Sequence, residues 1–211
     1  MSNAPNWAYP PSNSSQATTE QEQKLYFTAN SVRNTTLATK DDSLYYEVVT
    51  RYWHPRLTKI NLLDPDTQIM RLVAEIEQVT GHKWHNGRFR VRFLNSVAPG
   101  EQLGQWISDI DFLKPTDSDK IGGTFMDPQG QEYRWKTHNR RLQLVRVGDE
   151  DKTPLVVYEP HRRYFMVLLM SRHASWDVQP QAIGFLDRLL VSYLLVERRR
   201  RASKDLRDRI V

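Results

Sequence analysis

A chain of 211 residues with no cysteine, 39% hydrophobic residues and a formal net charge of +5 is long enough for one domain built on a single large core. The lack of cysteine excludes a disulfide scaffold, thiol catalysis and thiolate metal sites. Eight basic and four acidic residues lie from Asp187 onward, so most of the net charge belongs to the C-terminal segment. A basic domain surface of the nucleic-acid type is therefore not expected, whereas a basic tail is.

Residues 1–23, MSNAPNWAYPPSNSSQATTEQEQ, are rich in Ser, Asn, Gln and Pro, a composition that gives a disordered leader. Trp7, Tyr9, Pro10 and Pro11 stand in an order other than the one proline-reading modules take. No basic start leads into an apolar run, so no secretory signal is expected and a cytoplasmic location is the default. The glycosylation sequons at Asn13 and Asn34 then have no compartment in which to be used.

From Lys24 the chain reads as short strands divided by turn signals. Leu25 to Thr28 and Thr35 to Ala38 come first, then a turn at Lys40-Asp41-Asp42 and a strand from Ser43 to Trp53. His54-Pro55 interrupts, LTKINLL follows, and beyond the turn at Asp64-Pro65-Asp66 a strand runs from Thr67 to Val79. There Leu72, Ala74 and Ile76 alternate against Val73, Glu75 and Glu77. RFRVRFL repeats the alternation most cleanly: Phe89, Val91 and Phe93 share one face, Arg88, Arg90 and Arg92 the other. Residues 97–118 carry no pattern that assigns them. Hairpins resume at Gly123 to Asp127, EYRWKT, RLQLVRV and PLVVYE, and Arg163 to Met170, RYFMVLLM, reads as a strand covered on both faces.

The chain closes on its one long helix, residues 179–201, followed by a charged tail at 202–211. From Ile183 to Val196 the helix is apolar on nearly every side, broken by Gly184, Asp187, Arg188 and Ser192. It leaves no solvated face and must be surrounded. Lipid is not the surround, because a span takes about 20 predominantly apolar residues and this run is shorter and carries two charges. Ile183, Phe185, Leu186, Leu189, Leu190, Tyr193 and Leu194 are accordingly expected to fill a protein core. About ten to twelve strands followed by one helix favour a mainly β fold, an antiparallel sheet closed into a barrel around the hydrophobic C-terminal helix, since closure removes exposed edges.

Residues 24–201 carry a resemblance. Arg33-Asn34-Thr35, the strand Val73-Ala74-Glu75-Ile76 and the helix exit Val196-Glu197-Arg198 resemble a fungal family of small domains of unknown function. That family is similar to the tubby-like superfamily, which also holds the LURP-one-related proteins and the phospholipid scramblases. The resemblance implies a twelve-stranded β-barrel wrapped around a hydrophobic C-terminal helix. Tubby proteins bind phosphoinositide headgroups through basic residues, but those residues do not match one by one here. Where scramblases carry an acidic calcium-binding segment, this chain has SRHASWDVQP with Asp177 alone, and it has no cysteine to be palmitoylated.

No motif for a named chemistry is present: there is no nucleophile elbow, zinc-protease pair, phosphate loop or dinucleotide fingerprint. His82 and His85 stand three apart, but no third ligand lies beside them. Asp109, Asp111, Asp117 and Asp119 lack the calcium-loop spacing. No catalysis, metal or cofactor is expected. Arginine is more informative, because guanidinium groups grip phosphate with two hydrogen bonds. Arg88, Arg90 and Arg92 would project from one strand face, and Arg140-Arg141 and Arg162-Arg163 sit at strand ends; a polar outer face alone accounts for such rows. Arg198, Arg199, Arg200 and Arg201, with Lys204 and Arg207, complement the helix dipole or meet an anionic leaflet. The expectation is a non-enzymatic intracellular binding module with weak affinity for anionic, phosphoinositide-like lipid or for a membrane surface. The alternative is a protein-interaction or structural domain whose partner is another protein.

Overall fold

The computed structural model describes residues 22–80, 87–116, 119–139, 141–149, 153–161 and 172–207. Residues 1–21 of the leader, the Arg163 to Met170 strand, His82, His85, Asp117, Arg140, Arg162 and Arg163 lie outside the described residues. Of Lys204 and Arg207 only the helical backbone is described.

Among the described residues thirteen strands form one antiparallel sheet. They are β1 (Gln23–Phe27), β2 (Thr35–Ala38), β3 (Tyr45–Thr50), β4 (Leu57–Leu63), β5 (Met70–Gln78), β6 (Phe89–Phe93), β7 (Ile107–Ser108), β8 (Lys114–Thr116), β9 (Asp119–Met126), β10 (Glu132–His138), β11 (Arg141–Arg146), β12 (Val156–Glu159) and β13 (Ser175–Val178). Successive strands pair in order from β1 to β7 and from β8 to β13, and β1 pairs with β13 to join the two halves. Among the described residues no ladder closes the sheet, and β7 and β8 are the two ends of the order. Between them lies a single helical turn, α1 (Asp109–Phe112), whose cap Ser108 accepts the Ile110 N–H. Residues 97–118 thus hold two edge strands and the turn that joins them.

After β13 the chain makes one turn, α2 (Pro180–Ile183), and then α3 (Leu186–Arg207). The expected helix is broken at Gly184 and continues six residues past Arg201. From Leu189 to Val196 every residue of α3 is buried, so the apolar circumference that ruled out a surface position is covered throughout. Among the described residues no helix is long and apolar enough to cross a membrane. Phe185 and Leu186 are buried, and Ile183 packs at the edge of the core. Around Tyr193 stand Phe27, Tyr158 and Trp176, with ring centroids 5.4, 5.2 and 5.1 Å away. Edge-on and tilted contacts of this kind add to the area buried.

The polar residues that interrupt the run each find a partner. Tyr46 donates to Asp187 Oδ1 at 2.7 Å and Asn95 to Oδ2 at 3.0 Å. Trp135 Nε1 donates to Ser192 Oγ at 2.8 Å, and that hydroxyl donates back to Leu189 O. Arg188, 1% exposed, gives both terminal nitrogens to Glu101 at 2.6 and 2.8 Å and its Nε to Met126 O, with its plane over Phe93 and Phe112. Buried charge is tolerated only when paired and hydrogen-bonded in this way. Glu101 comes from the stretch that the sequence left unassigned.

Two strand readings change. Tyr52 and Trp53 lie beyond β3, which ends at Thr50. In β5 the register slips between Ile60 and Asn61 of β4, leaving Val73 without an opposite residue. This bulge brings both Val73 and Ala74 into the buried set and breaks the expected alternation, leaving Leu72 half-buried. In β6 the alternation holds, with Phe89, Val91 and Phe93 buried and Arg90 and Arg92 half-exposed.

Replacing Arg188 by Met leaves Glu101 partly buried without its counter-charge and should lower the unfolding free energy in urea by about 3 kcal/mol, with Glu101→Leu in the same chain restoring most of it. A pH dependence follows as well. Burial alone would raise the Glu101 carboxyl, but the Arg188 hydrogen bonds, the Ala98 N–H and the Arg188 charge together hold it below the usual range. A carboxyl depressed in the folded state stabilises above its unfolded pKa, and that contribution fades as pH falls through the folded value. Urea titrations from pH 6 downward should show the stability gap between the natural chain and Glu101→Gln closing as acid is added.

Candidate functional site

The helix exit is where the sequence concentrates charge, and its arginines are largely spent inside the molecule. Arg198 is 3% exposed, donates Nη2 to Thr58 Oγ1 at 3.0 Å and to Val32 O at 3.3 Å, and lies over the Phe89 ring. Burial, then the charge of Arg33, opposed by Asp109, lowers its pKa to about 9. A side chain so placed reaches no membrane. Arg199 turns toward the α1 seam, donating to Gly122 O and Leu113 O at 3.1 and 3.2 Å and standing 3.6 Å from Asp109. Arg200 and Arg201 reach the rim, where they share Glu197 at 2.8 and 3.0 Å, and Arg201 also donates to Asn30 Oδ1. Among the described side chains two cations thus share one carboxylate there, a net positive rim.

The β6 arginines are similarly engaged. Arg90 and Arg92 stand directly opposite Glu77 and Glu75 and form ion pairs with them. Both guanidinium groups also lie over the Trp106 ring, 4.6 and 4.7 Å from its centroid. Glu75 is 2% exposed and has Lys59 at 3.9 Å as a second cation. This is a covered, neutralised outer face rather than an open phosphate cradle. Arg88, beside it, is exposed.

A different cationic surface lies at the same end as the helix exit. β3 rises to Thr50 and β4 descends from Leu57, and the loop between them, residues 51–56, stands beside Thr58, which Arg198 grips. Its crest is aromatic: Tyr52 is 84% and Trp53 53% exposed, packed edge to face with centroids 4.7 Å apart. Arg51 lies over Trp53 at 5.2 Å. Among the described residues neither Arg51 nor Arg56 forms an ion pair with a carboxylate. Beside the crest opens a cleft of about 410 Å³ lined by Val49, Arg51, Trp53, His54, Leu57 and Lys59.

The loop is held from below. His54 N donates to Arg51 O and Leu57 N to His54 O, forming two successive turns. Arg33 Nη2 donates to Pro55 O at 3.2 Å, Asn34 Oδ1 accepts the Thr50 N–H at 2.8 Å, and the Thr50 hydroxyl donates to Arg33 O. Thr50 and Thr58 share a hydroxyl hydrogen bond of 2.9 Å, and Thr58 receives Arg198. Arg33 and Asn34 therefore brace the loop. Two signals for the crest lie in the sequence, the Tyr-Trp pair and the His-Pro break, but reading Tyr52 and Trp53 as part of a strand hid their exposure.

Among the described residues no three His, Asp or Glu side chains converge as a metal site. Asp109 instead accepts the Phe89 N–H and faces Arg199.

Searches of curated proteins and of solved structures found no match. One family model does match, over residues 30–202, a stretch that takes in Asn34, the β3–β4 loop, Glu101 and nearly all of α3. The chain accordingly belongs to the family of unknown function DUF6593.

Proposed function

We propose that this protein is a non-enzymatic, tubby-like barrel that docks on anionic membrane surfaces with the end from which α3 emerges. One observation carries the reading: Tyr52 and Trp53 are exposed between Arg51 and Arg56, on the same end as the net positive rim of Arg200 and Arg201. Tryptophan and tyrosine favour the membrane–water interface, where an apolar ring and a polar edge are both satisfied. Basic residues near an anionic leaflet each add about 1 kcal/mol. The barrel reading rests on the helix being buried all round, with α1 bridging the edges β7 and β8 in place of a ladder.

The test is co-sedimentation with neutral and anionic vesicles over a salt series. Binding should need anionic lipid and fade with salt, because such charges are screened over about 8 Å at physiological ionic strength. Tyr52→Ser with Trp53→Ser should weaken it at least tenfold. Arg90→Gln with Glu77→Gln should leave it unchanged, since the two changes remove a neutral ion pair already roofed by Trp106 and alter no net charge. Cutting the chain after Glu197 is a poor probe because it removes Arg198 from the core. Failure of the natural chain to bind anionic vesicles at low salt would overturn the reading.

A further inference from the structure

The cleft beside Trp53 differs from the other cationic patches in what lies within it. Its walls combine apolar Val49 and Leu57 with the indole of Trp53, and its polar groups are the guanidinium of Arg51, the ring of His54 and the ammonium of Lys59. Among the described residues no carboxylate lines it. Lys59 is directly across the ladder from Val49, which fixes the cation on the outer face of the sheet. Its nearest acid, Glu75 at 3.9 Å, is already taken by Arg92, so the cleft keeps a net positive charge. A volume of about 410 Å³ falls in the range of small-ligand sites.

Resting on the membrane-surface reading, we infer that this cleft selects one class of lipid, those whose headgroup ends in a phosphate monoester. A monoester presents three terminal oxygens and carries roughly −1.5 to −2 charge at neutral pH. A phosphodiester headgroup has two free oxygens and a single charge. Three separate donors, one of them the fork of Arg51, find in the monoester a third terminal oxygen and a larger negative charge that a phosphodiester does not offer. Trp53 is at once a wall of the cleft and part of the exposed crest, so a phosphate seated here has its glycerol and acyl chains running toward the bilayer. The surface contact supplies adsorption, and the cleft supplies selection.

The experiment compares the full chain on neutral vesicles doped with diacylglycerol phosphate and on vesicles of matched surface charge doped with a serine phosphodiester lipid. Binding should be at least fivefold tighter to the monoester vesicles. Lys59→Gln should bring that ratio near one, as should His54→Gln, an independent loop substitution that serves if the first variant is poorly folded by circular dichroism. Soluble glycerol phosphate added in excess should also erase the ratio. Equal binding to both vesicles, or a ratio indifferent to both substitutions, would overturn the inference while leaving the membrane-surface reading in place. Adsorption to neither vesicle would overturn both. Glycerol phosphate bound through Lys59 without any vesicle adsorption would assign the cleft to a soluble phosphate ester and overturn the lipid inference.

Discussion

The burial of α3 is the constraint on which the rest of the structure depends. A helix apolar around its whole circumference has no stable position in water, and here the thirteen-stranded sheet supplies its cover. The cover is specific as well as apolar. Asp187, Arg188 and Ser192 would each forfeit solvation on burial, and each is met by a side chain from a different part of the chain: Tyr46 and Asn95, Glu101, and Trp135. These contacts fix the helix in rotation and in depth, which apolar packing alone does weakly.

Much of this was legible in the sequence because it rests on periodicity. The two-residue alternation of Phe89, Val91 and Phe93 and the all-round apolarity of Leu189 to Val196 are local signals with one physical interpretation. What stayed illegible was set by partners distant in the chain. The bulge at Val73 follows from the register against β4 and leaves no mark in the β5 sequence. Residues 97–118 have no pattern because their work is tertiary: Glu101 neutralises Arg188, Trp106 roofs Arg90 and Arg92, and α1 joins the sheet edges.

The arginines show the same limit at the level of the site. In sequence Arg198 to Arg201 are one block, and a block of like charge reads as solvated. A helix turns about 100° per residue, so four successive side chains face four directions. Arg198 faces the β4 wall, Arg199 the α1 seam, and Arg200 and Arg201 share Glu197 at the rim. The row on β6 fails as an open patch for a related reason, because the opposing strand places Glu75 and Glu77 in direct register with it. Charge counted along the chain therefore overstated the cation available to a partner at these positions, and it missed Arg51 and Arg56, which are isolated in sequence.

The inward arginine links the core to the surface. Arg198 grips Thr58, Thr58 shares a hydrogen bond with Thr50, and Thr50 is held by Arg33 and Asn34, whose own neighbour Pro55 lies at the foot of the aromatic crest. The loop that carries Tyr52 and Trp53 is thus fastened to the helix through four hydrogen-bonded steps, so its exposed rings are presented on a rigid base and lose little further entropy on contact. A core position for Arg198 and an exposed position for Trp53 are consequences of one network, which is why the buried apolar helix sets the geometry of the end of the molecule that carries the aromatic crest.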